Sequence, residues 1–321
     1  MSEYEITVCI VTFKDRMYLE LNRKITRALN PKNRSIWNVV NNNPNSKYKI
    51  QANPPDLLVF NGIEFDPNKA RPTSYHHSTG LNKAIRLVKT RFALILDPDF
   101  YIVRKNWISE IIEHMKINGL AFFGAPINPR YSKNYRYFPG VNCMFIDLKH
   151  IRMETLDFRP GQDDFLARES TTFIGKLTRR FNSIIINELY QRFKIGLSQD
   201  TGYNIYNRYS RQRKIKSECI IPVYQKLEYP KNNFLNYLNY LSKLIPERFS
   251  YYPKRSDSYS QSGFHEHGFI DLRSLGWEEY LWKDKPFSFH LRSFRDKQDT
   301  ETEKNNLYRA IINLTGMELS E

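Results

Sequence analysis

Arg91-Phe92-Ala93-Leu94-Ile95-Leu96-Asp97-Pro98-Asp99 decides how the rest of the chain reads. Residues 92–96 are apolar without interruption, the pattern of a strand buried on both faces. The strand runs straight into two carboxylates one residue apart. Open α/β sheets bind their ligands at the carboxyl ends of the strands. Mg²⁺ and Mn²⁺ are commonly held by one or two carboxylates together with phosphate oxygens. The segment therefore points to metal-assisted chemistry on a phosphate-bearing substrate.

Outward from this segment the chain alternates strands and helices. Ile6 to Phe13 is continuous and β-branched and reads as a buried strand. Asp15 to Leu29 has helical spacing at Met17, Leu21, Ile25 and Leu29, and Asn30-Pro31 stops it. Ser35 to Val40 is a second strand, running into Asn41-Asn42-Asn43-Pro44, and Leu57 to Phe60 a third. Ser78 to Thr90 is helical, with Leu81, Ile85 and Val88 on one face. After the acidic pair come a helix over Asn106 to Lys116 and strands at Leu120 to Phe123 and Asn142 to Ile146. Phe158 to Thr172 reads as loop, Ile184 to Phe193 and Thr201 to Arg211 as helices, and Cys219 to Val223 as a strand. Such alternation implies a doubly wound, mainly parallel α/β sheet with helices on both faces. From about residue 231 the composition turns to Asn, Tyr and Leu, then to a Ser/Tyr-rich linker over Ser256 to Ser262.

At 321 residues the chain is long enough for one large domain with an appendage, or for two domains. Forty-nine Lys and Arg against 34 Asp and Glu give a net charge of +15, which favours anionic partners. No zinc-ligand spacing or RNA-binding aromatic motif accompanies that charge, so no nucleic-acid partner is expected. Cys9, Cys143 and Cys219 sit in or beside apolar runs with no C-x-x-C, as reduced core cysteines of a cytoplasmic protein do. The amino-terminal residues lack a signal-peptide pattern, and no apolar run approaches the ~20 residues of a membrane span.

An isolated D-x-D is weak, since a chain this long shows roughly one by chance. Its context is what counts. Ile10-Val11-Thr12-Phe13 closes the first strand, an Asn/Pro turn closes the second, and Ser78-Thr79-Gly80-Leu81-Asn82-Lys83-Ala84 precedes the Asp97-Pro98-Asp99 strand. Ser198-Gln199-Asp200-Thr201-Gly202-Tyr203 follows later. Together these residues resemble the GT-A glycosyltransferases, specifically the family 2-like inverting enzymes, over about residues 5 to 225.

The resemblance implies a GT-A catalytic domain over 1–230, with a nucleotide-sugar half (about 1–100) and an acceptor half (about 101–230). Residues 231–321 would be an extension completing the active site. It implies a UDP- or GDP-type sugar donor, Mn²⁺ or Mg²⁺, and a glycan or lipid-linked acceptor. Thr12 and Phe13 would line the nucleobase pocket. Asn41 or Asn42 stands where the family usually carries an Asp. His77, Asn82 and Lys83 lie where residues facing the nucleotide or ribose are found. Asp97 would face ribose or metal, and Asp99 would bind the metal. Asp200 occupies the family's base position, with Gln199 where Glu is common. Asp163 and Asp164 are rivals for that role, and Asp200 is also a candidate helix N-cap.

Late in the chain, His290 follows the apolar Pro286-Phe287-Ser288-Phe289 and is a candidate third metal ligand. Arg292 and Arg295 beyond it could meet a diphosphate, and His265 and His267 compete for the metal. His76-His77 precede the helix expected from Ser78, whose amino end favours anions. Phe234 to Ile245, flanked by basic residues, reads as a packed helix or as a peripheral membrane contact within 231–255. Trp277 and Trp282 suit either core packing or sugar stacking. Two other classes remain open. A sugar-phosphate nucleotidyltransferase would carry a Gly-rich phosphate loop after the first strand, which Thr12-Phe13-Lys14-Asp15-Arg16 lacks. A non-catalytic basic module binding nucleic acid or an anionic surface rests on charge alone.

Overall fold

The computed structural model describes residues 4–14, 16–43, 45, 49–54, 56–61, 72–127, 137–160, 200–210, 212, 214–223, 259–291 and 300–318. The expectations for Asp163, Asp164, the helix over 184–193, Arg292 and Arg295, and the segment 231–255 lie outside the described residues.

A seven-stranded sheet forms the centre. Its strands are β1 (Ile6–Thr12), β2 (Ser35–Asn41), β3 (Leu57–Asn61), β4 (Phe92–Leu96), β6 (Phe122–Gly124), β7 (Cys143–Asp147) and β8 (Ser217–Cys219). Their spatial order is β3-β2-β1-β4-β7-β6-β8. The strands from β3 to β4 are parallel, β7 runs antiparallel to both β4 and β6, and β8 is parallel to β6. The antiparallel β7 is the departure from a purely parallel reading.

The sheet is buried on both faces, as its uninterrupted apolar strands require. Ile6, Val8 and Ile10 of β1 and Phe92, Leu94 and Leu96 of β4 enter one core, with Leu19 of α1 (Arg16–Leu29) and Trp107, Ile108 and Ile111 of α3 (Trp107–Asn118). Cys9 and Val11 of β1 and Ala93 and Ile95 of β4 enter the opposite core, beneath α2 (Pro72–Ile85) and α4 (Tyr203–Tyr209).

A second, four-stranded antiparallel sheet has the order β5-β11-β10-β9, built from β5 (Phe100–Ile102), β9 (Ile221–Pro222), β10 (Glu278–Trp282) and β11 (Lys285–His290). The stretch 219–223 thus serves two sheets in succession rather than forming one strand. The register of β10 with β11 shifts between Tyr280 and Leu281. That irregularity accounts for Phe287 packing in the first core while Phe289, two residues on, packs in a third. The third core lies against Leu21, Ile25 and Leu29 of α1 and Leu307, Ala310 and Ile311 of α5 (Thr300–Thr315). Trp277 and Trp282 are both buried, so packing, not sugar stacking, is their role in this structure. Trp277 stacks on Phe289 with ring centroids 5.6 Å apart.

All three cysteines are free, and burial raises each thiol above its ordinary range. Among the described residues no helix is long and apolar enough to cross a membrane.

Candidate active site

β1 pairs with β2 on one side and β4 on the other. The chain leaves β1 toward β2 and returns on the far side as β4, so the carboxyl ends of β1 and β4 flank a topological switch point. A cleft of about 720 Å³ opens there. Val11, Thr12 and Phe13 line it from β1, Asn42 from the end of β2, Thr73, Ser74, His76 and His77 from α2, and Asp97, Pro98 and Asp99 from the end of β4. Asn142, Asp200, Thr201 and His290 complete the wall used below.

Asp97-Pro98-Asp99-Phe100 is a tight turn, closed by Phe100 N–H donating to the Asp97 carbonyl at 3.1 Å. Pro98 holds the φ angle such a turn needs at its second position. The backbone around it is fixed from three directions. Asn22 of α1, itself buried, donates to the carbonyls of Pro98 (3.3 Å) and Phe100 (2.7 Å). Asp97 N–H donates to the Asn142 carbonyl at 3.0 Å, and Leu291 N–H to that of Asp99 at 3.1 Å.

Because β11 pairs with β5, His290 lies opposite Phe100, one residue beyond Asp99. Its Nε2 is 3.4 Å from Asp99 Oδ1 and 3.9 Å from Asp97 Oδ2. One donor atom each from Asp97, Asp99 and His290 all fall within 4.8 Å of one another. Two carboxylate oxygens and an imidazole nitrogen converging at that spacing fit a divalent cation. Burial by itself depresses the His290 pKa, but the carboxylates of Asp99 and Glu278 outweigh it and push it up to about 10. His77 Nε2 reaches Asp97 Oδ1 at 3.6 Å.

Asp200 stands on the wall formed with α2. Its Oδ1 accepts from the Ser74 hydroxyl at 2.6 Å and from Thr201 N–H at 2.7 Å. It does not cap the following helix: α4 starts at Tyr203, and its N-cap is Gly202, at φ 87°. The cap alternative for Asp200 is therefore set aside, while its place in the cleft stands.

The remaining expected residues divide. Thr12, Phe13, Asn42 and His77 line the cleft. Asn41 is buried behind it, and its Oδ1 accepts from Asn43 N–H at 3.1 Å in a local turn. Asn82 and Lys83 are not among the lining residues. Asn82 Oδ1 accepts from Phe158 N–H at 2.9 Å, and Lys83 lies over the Phe60 ring at 5.8 Å. The cause is the helix start: α2 begins at Pro72, not Ser78, since proline suits the first helical position. Its first turn at Thr73-Ser74 faces the cleft, His76 and His77 lie within the helix rather than before it, and Asn82 and Lys83 fall more than two turns beyond Ser74. His265 and His267 are exposed in a 3-10 turn (Phe264–His267) and do not line the cleft.

Sequence reasoning overlooked Glu278, Tyr280, Asn22 and Asn142. For Glu278 a signal existed. Trp277-Glu278-Glu279-Tyr280-Leu281-Trp282 places two carboxylates inside an aromatic strand, where each needs a partner. Glu279 accepts backbone N–H groups from Phe264 and Leu272, both at 2.9 Å. Glu278 turns the other way and accepts from His290 Nδ1 at 2.9 Å.

No protein-family model and no curated protein sequence matches the chain. Among solved structures it is similar to TarS of S. aureus, at 15% identity and TM-score 0.35, over 50% of this chain and 53% of that one. It is similar to the mannosyltransferase PcManGT from Pyrobaculum calidifontis, in complex with GDP-Man and Mn²⁺, at 14% identity and TM-score 0.35, over 50% and 49%. A match to an active-site mutant of LgtC, which is a galactosyltransferase, covers 76% of this chain and 98% of that one, at 13% identity and TM-score 0.33. The chain spans about half the length of the TarS and PcManGT chains it matches.

Proposed function

We propose that this chain is a metal-dependent glycosyltransferase. It would move a sugar from a nucleotide diphosphate to an acceptor hydroxyl, with inversion at the anomeric carbon. The observation that carries this reading is the charge of the cleft. In a chain of net charge +15, the described lining residues include Asp97, Asp99 and Asp200 and neither Lys nor Arg. A diphosphate cannot approach two carboxylates at the switch point unless a cation lies between them. The triad of Asp97, Asp99 and His290 has the donor set for one, and its imidazole tilts the choice from Mg²⁺ toward Mn²⁺.

A divalent cation bound there supplies Lewis-acid neutralisation of the charge that builds on the departing diphosphate. The protein's own groups do the rest. Thr12, Phe13 and Asn42 border the part of the cleft open to a base. Phe13, 46% exposed, offers a ring face for stacking. Asp200, oriented by Ser74 and the Thr201 amide, takes the proton of the acceptor hydroxyl as that oxygen attacks. Attack from the side opposite the diphosphate gives inversion. The acceptor is a glycan or lipid-linked saccharide hydroxyl.

The test is a panel of UDP- and GDP-sugars with and without Mn²⁺, read by calorimetry for binding and by nucleotide release for turnover. The reading expects Mn²⁺-dependent binding of at least one donor. It also expects Asp99→Ala to lower turnover by about 10²–10³-fold with the fold retained. Full turnover in that variant, or donor binding indifferent to Mn²⁺, would overturn it. The anomeric configuration of the product, by NMR, tests inversion separately.

A further inference from the structure

Resting on the metal-site reading above, we propose that Glu278 is a positioning residue that holds His290 in the tautomer able to bind a divalent cation. Glu278 and His290 are direct cross-strand partners on β10 and β11, so their side chains leave the same face of the sheet. Glu278 is 2% exposed, and a carboxylate so deep needs compensating donors. Two are in place. His290 Nδ1 lies 2.9 Å from Glu278 Oε2, and the Tyr280 hydroxyl donates to the same oxygen at 2.9 Å. Tyr280 is two residues along the strand, hence on the same face, and the register irregularity begins only after it. A carboxylate accepts, so Nδ1 carries the proton that faces it, and Nε2 is the nitrogen left toward Asp97 and Asp99. A carboxylate behind a ligating imidazole fixes ring orientation and raises the basicity of the ligand nitrogen. Phe100 packs at 5.5 Å from both the Tyr280 and the His290 rings, which limits other orientations.

The experiment measures Mn²⁺ binding to the full chain by electron paramagnetic resonance, alone and with UDP or GDP. It compares wild type, Glu278→Gln and Tyr280→Phe, with thermal unfolding of the metal-free proteins alongside. Glu278→Gln is expected to weaken Mn²⁺ binding about 10–100-fold. Tyr280→Phe, which removes one donor, is expected to weaken it about two- to tenfold. Ring ¹⁵N NMR with Zn²⁺ as a diamagnetic substitute should show His290 bound through Nε2 and protonated at Nδ1 in wild type, and a smaller metal-bound fraction at the same Zn²⁺ concentration in Glu278→Gln. A folded Glu278→Gln that binds Mn²⁺ within twofold of wild type overturns the role of Glu278 and leaves the metal site standing. Should Glu278→Gln fail to fold, unchanged binding in Tyr280→Phe overturns it instead. A wild type that binds no Mn²⁺ under any of these conditions overturns the metal-site reading and this proposal with it.

Discussion

At the scale of single residues, the proposed base is Asp200, which lines the cleft beside α2. Asp200 Oδ1 accepts from a side-chain hydroxyl and from a backbone amide. Replacing it with Asn keeps the size and the hydrogen-bond acceptor but removes the basicity. Asp200→Asn should therefore leave donor affinity within about twofold while lowering kcat by about 10²–10⁴-fold. Donor titration by calorimetry and steady-state turnover separate the two. An unchanged kcat would transfer the base role to Asp163 or Asp164. Gly202, directly after the Asp200-Thr201 pair, has φ 87° and leaves only 2.8 Å between an added Cβ and Val141. A side chain there would push the Asp200 turn away from Ser74.

At the scale of elements, Asp157 ties three segments together. Its carboxylate accepts from Asn82 of α2 at 3.3 Å, from Asn204 of α4 at 2.8 Å and from the Arg159 side chain at 2.9 Å. Burial raises its pKa, but the donors of Arg159 and Asn204 more than reverse this and bring it down to about 2. The folded state thus favours the ionised form. The stabilisation is present above the ordinary Asp value of 3.8 and is lost as pH falls toward about 2. Asp157→Asn should cost about 1–2 kcal/mol at neutral pH. It should also flatten the decline in melting temperature between about pH 4 and pH 2. Melting curves against pH check both, and identical acid sensitivity in the variant would rule out this clamp. Asn82 does not line the cleft because it is engaged in joining α2 to the backbone at Phe158 and to Asp157.

At the scale of the whole molecule, the cluster of Asp97, Asp99 and His290, proposed above to hold the cation, bridges the two sheets. Asp97 and Asp99 leave the large sheet at β4, and His290 arrives from the small one on β11. Anything that loosens β11 from β5 should therefore separate the ligands. Phe289 is the point to test. It is buried and stacked between Tyr101 at 5.3 Å and Trp277 at 5.6 Å, on the face of β11 away from His290. Phe289→Ala should cost about 3–5 kcal/mol and weaken Mn²⁺ binding, although its side chain does not line the cleft. Chemical denaturation and Mn²⁺ titration give the two numbers. A large stability loss with wild-type Mn²⁺ affinity would show that the sheets are not coupled in this way.

Much of this was legible in the residues themselves. Uninterrupted apolar strands, buried on both faces, marked β1, β4 and β7 because no solvated strand tolerates such runs. The acidic pair after β4 marked the cleft, because carboxylates at a strand's carboxyl end fall where open sheets bind ligands. The aromatic run before His290 marked a strand edge. What sequence reasoning missed depends on register and on distance along the chain. Pairing of β5 with β11 joins residues nearly 190 positions apart, and local pattern carries no record of it. The short β5 and the long α5 were overlooked, and α2 was started six residues late. The aromatic strand around Glu278 signalled that its carboxylate needs a partner, but only the register of β10 with β11 names that partner as His290. Local chemistry, a carboxylate pair on a buried strand, determined that this chain would gather negative charge at one sheet end; only tertiary pairing decided which histidine meets it and which glutamate stands behind, because hydrogen-bond register between distant strands sets those neighbours.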